Sequence, residues 1–261
     1  MLPHHERAIA RLIERYQPDP HVLALIIGGS VIKKRALPDS DIDFVLVLDE
    51  ETFRAAHAAL DITLSGNEET DYPGGYVDGK RMSVAFLEQM ALKGSEPARS
   101  AFKYHHIAFS RVEGLEALLD RVTRYPLEDK VHRIRNFYAQ LEGLKWFMCE
   151  TVRRPNAFLE HHTAVHFVLY AGRLILAHNE ILFPSFKWFW WELEHAPDKP
   201  EGICALLRTM LERPSMGTAD AIWEALNAFR EWEKPGERWA NRFVINNEWC
   251  WLEDKTPIQE W

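Results

Sequence analysis

Two short motifs near the start of the chain carry side chains that together can do phosphate chemistry. Leu23 to Ile27 runs into Gly28-Gly29-Ser30, and after a ten-residue gap Asp41-Ile42-Asp43 leads into Phe44 to Leu48. Both apolar runs have strand length and are rich in β-branched residues, so each is expected as a strand buried on both faces. Alternation along a strand puts Asp41 and Asp43 on one face, two residues apart, where their carboxylates can share a small volume. Such a pair suits Mg²⁺, a hard ion that takes oxygen ligands and completes its shell with waters or substrate phosphates. The glycines let the backbone approach a triphosphate closely, and the Ser30 hydroxyl with nearby N–H groups can hold its β and γ oxygens. Two metals about 4 Å apart would stabilise the attacking and leaving oxygens of an in-line displacement. The expected chemistry is phosphoryl or nucleotidyl transfer. A Gly-Gly-Ser turn alone is an ordinary loop and Asp-x-Asp alone is often a solvated strand end; the combination on neighbouring strands carries the reading.

The remaining pattern supplies the elements that must position these groups. Ala8, Ile9, Leu12 and Ile13 share a helical face within residues 6–16, and Pro18 and Pro20 end that helix. Val31 to Leu37 reads as a short helix closed by Pro38; its Lys33-Lys34-Arg35 run is either a draw for the triphosphate or a solvated face. A helix over Glu50 to Leu60 follows, then loops at Ser65–Thr70 and Tyr72–Gly75 and a tight turn at Val77–Lys80. Arg81 to Leu87 is expected as a third strand, with Ser83 and Ala85 inward and Met82, Val84 and Phe86 on the other face. A strand at Ile107–Ser110 and a helix at Leu115–Arg124 complete a mixed-sheet α/β (α+β) domain, residues 1–126.

Beyond Pro126 strand patterns all but disappear, and all ten tryptophans lie at or after Trp146. Helical spacing covers Val131–Met148, Asn156–His178, Phe186–Glu194, Gly202–Leu211 and Thr218–Glu233, so residues 127–261 are expected as an all-α bundle. The most apolar segment, Val165–Leu176, contains Arg173 and is too short to span a bilayer.

Charge and cysteine content narrow the function classes. The net charge is −8, with 15 Lys+Arg against 19 Asp+Glu in residues 1–126 and 16 against 20 afterwards. Neither half is the basic module that duplex binding requires, which disfavours nucleic acid as the main partner. Cys149, Cys204 and Cys250 are isolated and odd in number, which indicates neither a disulfide framework nor a Cys-x-x-Cys metal site and fits a reducing, cytoplasmic setting. The N-terminus has no apolar signal core.

Gly29-Ser30, a ten-residue gap and Asp41-Ile42-Asp43, flanked by helix, strand, short helix and strand, resembles the signature of the polymerase β-like nucleotidyltransferase superfamily over about residues 6–125. The resemblance implies that Gly29 and Ser30 contact nucleotide phosphates and that Asp41 and Asp43 are catalytic metal ligands. The helical half is more weakly similar to antibiotic nucleotidyltransferases of the kanamycin type. That similarity implies a phosphate-binding lysine at Lys145, before Trp146, and a general base at Glu142. An NTP, with ATP the expected one, Mg²⁺ and a small-molecule hydroxyl acceptor, an antibiotic among the candidates, are the implied partners; a homodimer is compatible and no membrane is implied.

The superfamily commonly adds a third acidic residue on a following strand, and here Ser83 and Ala85 are not acidic. Asp78, in the expected turn before that strand, and Glu88, just past it, are the substitutes. Without one, acceptor activation falls to Glu142 or another residue, and a non-catalytic nucleotide-binding protein or a protein-nucleotidylating, antitoxin-like protein becomes the alternative. Other features carry less. His162 and His166, four apart on a helix, have the spacing of a transition-metal pair, but the apolar surroundings and the lack of a completing acid favour a structural role. His4-His5 and His105-His106 are read the same way, and Trp188-Phe189-Trp190-Trp191 as core rather than an acceptor cleft.

Overall fold

The computed structural model describes residues 1–236, 238–253 and 258. Glu237, residues 254–257 and residues 259–261, which the expected span 127–261 includes, lie outside the described residues. The chain divides into two compact units, Met1–Gly94 with Ala98–Arg124, and Ser95–Pro97 with Tyr125–Trp261.

In the first unit the order is α1 (Pro3–Tyr16), β1 (Val22–Ile27), α2 (Gly29–Ile32), β2 (Ile42–Leu48), α3 (Glu50–Ala58), β3 (Thr63–Gly66), β4 (Val77–Ser83), α4 (Val84–Lys93), the last three residues of the short α5 (Glu96–Ser100), whose Glu96 and Pro97 belong to the second unit, β5 (His106–Ser110) and α6 (Leu115–Thr123). The five strands form one mixed sheet in the order β3-β4-β2-β1-β5. β2 and β4 run parallel; the other neighbours are antiparallel. Leu25, Ile27, Phe44 and Leu46 turn to one face, where Ala8, Ile9 and Leu12 of α1 and Phe53 of α3 pack on them. Ala24, Ile26 and Val47 turn to the other, under Leu87 and Met90 of α4 and Leu115, Leu118, Leu119 and Val122 of α6. Full burial of one such aliphatic side chain contributes about 1.5–3 kcal/mol, so two covered faces hold the central strands firmly. Asp49 caps α3 by accepting from the Thr52 backbone N–H at 2.9 Å.

The mixed-sheet α+β domain followed by a helical region is as expected, and three local readings are corrected. The third central strand is Val77–Ser83, not Arg81–Leu87. Val84–Lys93 is a helix: the Ser83 hydroxyl accepts from Phe86 N at 3.1 Å, and Leu87 and Met90 meet the core one turn apart. β3 at Thr63–Gly66 replaces the start of an expected loop. The helix after β1 ends at Ile32, and Lys34 has a φ of 56°, so the Lys-Lys-Arg run is not a helix face.

The second unit contains α7 (Lys130–Arg153), α8 (Ala157–His178), α9 (Phe189–His195), α10 (Ile203–Glu212), α11 (Met216–Phe229) and α12 (Trp239–Asn247). Phe137, Leu141, Phe167, Ala171, Leu174, Phe183, Leu207 and Ile222 form its core. Arg173, read as an interruption of an apolar run, is 1% exposed there. It pairs with Glu96 at 3.1 Å and lies 4.5 Å over each of the Phe137 and Phe183 rings. Glu96 is 2% exposed and also accepts from Arg133 at 2.8 Å and from the Phe183 backbone N–H. In the aromatic run 188–191 only Phe189 is fully buried; Trp191 stacks on His195 with centroids 3.9 Å apart. Among the described residues no helix is long and apolar enough to cross a membrane.

Candidate active site

The first unit gathers the carboxylates at the end of the sheet where β1 stops and β2 starts. The two strands are antiparallel, so the turn that leaves β1 lies beside the first residues of β2, and Gly28 N donates to Asp43 O at 2.9 Å. Gly29 has φ +67°, and a Cβ built there would overlap the Asp43 carboxylate. The second glycine of the motif is therefore required twice, for its left-handed backbone and for the approach of Asp43. Behind it the Ser30 Oγ is buried, and among the described residues it has no hydrogen-bond partner. A buried hydroxyl without a partner costs about 1–3 kcal/mol, and a phosphate oxygen is a ligand group that would satisfy it.

β4 supplies the third acid. In the parallel β2–β4 ladder Asp43 is the direct partner of Asp78. Neighbouring strands are about 4.8 Å apart and registered residues point to the same face, so Asp43 and Asp78 project side by side from the strands' N-terminal ends, both half-buried. Gly79 follows because Phe44 lies across it: a Cβ there would fall inside the Phe44 ring. The strand begins four residues earlier than expected, so Asp78, named as a substitute in an expected turn, is a strand residue. Asp-Gly-Lys has turn composition, and the clue to strand was the helix cap at Ser83, which forces the strand upstream.

Asp41 sits one residue ahead of β2, and the loop before β4 holds it. Ile42 N donates to Tyr76 O at 3.0 Å, and Tyr72 Oη donates to Ser40 O at 2.7 Å. The Tyr76 hydroxyl donates to the Asp41 carboxylate, and its pKa is raised by that bond and the Asp41 charge first, with burial, Asp78 and Asp43 adding to it. One phenol thus senses all three carboxylates. No motif in its loop marks Tyr76 in the sequence.

The registered pair Asp43 and Asp78, with Asp41 just ahead of β2, offers carboxylate oxygens of the kind a hard divalent ion takes, and the buried Ser30 hydroxyl is, among the described residues, free to meet a phosphate oxygen. Among the described residues no three His, Cys, Asp or Glu side chains are gathered into a metal cage; Mg²⁺ sites commonly use one or two carboxylates together with substrate phosphates.

Glu142 and Lys145 lie on α7 in the second unit. Burial raises the half-buried Glu142 carboxyl above the usual range, with Lys234 opposing. Lys145 Nζ pairs with Asp220 at 2.8 Å and lies 5.3 Å from the Trp223 ring centroid. Each is engaged within its own unit.

The nucleotidyltransferase domain family profile matches residues 6–140. A search of the curated proteins found no match. Among solved structures, a nucleotidyltransferase-like protein from Exiguobacterium sibiricum 255-15 is similar, at 12% identity and a TM-score of 0.48 over 86% of this chain and 75% of that one. With the matched profile spanning more than half of its length, the chain belongs to the nucleotidyltransferase domain family, whose members transfer NMP from an NTP co-substrate.

Proposed function

We propose that the protein is a Mg²⁺-dependent nucleotidyltransferase that moves NMP from an NTP, ATP first among them, to a hydroxyl of a small molecule and releases pyrophosphate. The observation that carries the reading is the direct register of Asp43 with Asp78, beside the unpartnered Ser30 hydroxyl. The non-catalytic alternative rests on a missing third acid, and this reading gives that place to Asp78, which the strand register sets beside Asp43.

Asp41, Asp43 and Asp78 are the proposed metal ligands, and bound Mg²⁺ would supply charge neutralisation at the transferring phosphoryl group. The Ser30 hydroxyl holds the triphosphate, and Tyr76 fixes the orientation of Asp41. The acceptor proton passes to a carboxylate, for which Asp78 and Glu142 are the two candidates; Glu142 is supported by a pKa displaced toward neutrality. Lys145 is assigned to the nucleotide phosphates by its place before Trp146, with Asp220 as its present counter-ion. Antibiotics belong in the acceptor panel because of the weaker similarity of the helical half.

Pyrophosphate release from ATP and GTP, with Mg²⁺ and a panel of hydroxyl-bearing small molecules, tests the assignment. Acceptor-dependent release that is lost in Asp43→Asn supports it. Tight NTP binding without release for any acceptor contradicts the transfer.

A further inference from the structure

We propose that His162 and His166 form a two-imidazole site for a borderline divalent transition metal on the solvent face of α8. The expected structural role for the pair assumed apolar surroundings. The structure instead leaves His162 exposed and His166 half-exposed, while Thr163 and Phe167, the residue after each, are buried.

The two rings are neighbours on one helix face. The ring centroids are 4.1 Å apart and the rings are inclined by 34°, so successive helical turns present the two imidazoles together. His166 Nδ1 lies 2.8 Å from the His162 carbonyl oxygen. A carbonyl only accepts, so Nδ1 carries the proton and Nε2 keeps its lone pair, which is the arrangement that orients a metal-bound histidine. Neighbouring rings steady both: Phe158 stacks on His162 at 6.1 Å and 21°, and Tyr170 lies 6.5 Å from His166.

Two neutral nitrogens select against Mg²⁺ and for metals that prefer imidazole, with Cu²⁺ tightest of the divalent series. Among the described residues no third His, Cys, Asp or Glu joins them, so water fills the other positions. The chain would then bind two classes of ion at chemically different places, a hard ion at carboxylates and a softer one at imidazoles.

The probe is Cu²⁺ titrated into the full-length protein in the presence of millimolar Mg²⁺, read by calorimetry and by electron paramagnetic resonance. The expected result is an equivalent with two-nitrogen coordination that is weakened about tenfold or more in His162→Gln and in His166→Gln and unchanged in Asp43→Asn. A double His162→Gln/His166→Gln variant that retains every Cu²⁺ equivalent of the parent overturns the proposal. Should that variant fold poorly by circular dichroism, the parent's spectrum decides: the absence of a two-nitrogen signal overturns it equally.

Discussion

Asp43 on β2 and Asp78 on β4 are direct partners in a parallel ladder, which sets two carboxylates beside each other on strands held by a core on both faces. Such a pair of oxygen ligands suits a hard divalent cation.

Gly29→Ala tests the turn. A left-handed backbone at a non-glycine residue costs about 1–2 kcal/mol, and the added methyl group overlaps Asp43. Thermal unfolding is expected to show at least that loss, accompanied by weaker nucleotide binding. A variant as stable as the parent that binds nucleotide equally well would contradict the close approach.

Tyr76→Phe removes the donor to Asp41 and keeps the ring. Hydrogen bonds to charged groups contribute about 1.5–3 kcal/mol, and at this exposed position the effect belongs at or below the lower end. The expected outcome is an apparent Mg²⁺ requirement raised several-fold with an unchanged melting temperature. An unchanged Mg²⁺ titration would remove Tyr76 from the site.

Glu142→Gln tests the proposed base by its pH dependence. The folded-state pKa is raised by burial, so the carboxyl's contribution to stability is present below its unfolded value and lost as pH rises through the folded one. The glutamine variant should therefore match the parent near pH 4 and become the more stable protein as pH rises. If Glu142 is the base, the parent's transfer rate rises over the same range and the variant lacks that limb. Parallel rate profiles would assign the proton transfer to Asp78.

Glu96→Ala strips the acceptor from two arginines, one of them fully buried. Breaking a buried pair by removing one partner costs about 3–5 kcal/mol, so a large fall in melting temperature is expected. A loss below about 1 kcal/mol would mean that Glu96 contributes little to holding Arg173.

Much of this site was legible because β1 and β2 are apolar runs whose chemistry sits at their ends. The positions of Gly29, Ser30, Asp41 and Asp43 at the end of β1 and the start of β2 follow from the spacing. Asp78 was harder to read. Its strand reads Val-Asp-Gly-Lys-Arg-Met-Ser: the glycine is small to admit Phe44, and the polar residues serve the site or meet solvent, so the apolar signal of a strand is absent. The run that did look like a strand, Val84 to Leu87, opens a helix, and the Ser83 cap with Leu87 and Met90 one turn apart was its signature. Tyr76 and the Glu96–Arg173 pair depend on contacts between segments far apart in the chain, which local pattern does not encode.

Nucleotide titration calorimetry on the parent, Asp43→Asn and Asp78→Asn, each with Mg²⁺ and again with a chelator, tests the paired carboxylates most directly. The parent is expected to bind ATP or GTP in a Mg²⁺-dependent manner, and each variant to lose about tenfold or more in affinity, about 1.4 kcal/mol, with no loss of thermal stability. Variants that bind nucleotide and Mg²⁺ as tightly as the parent would contradict the assignment of Asp43 and Asp78 to the metal site.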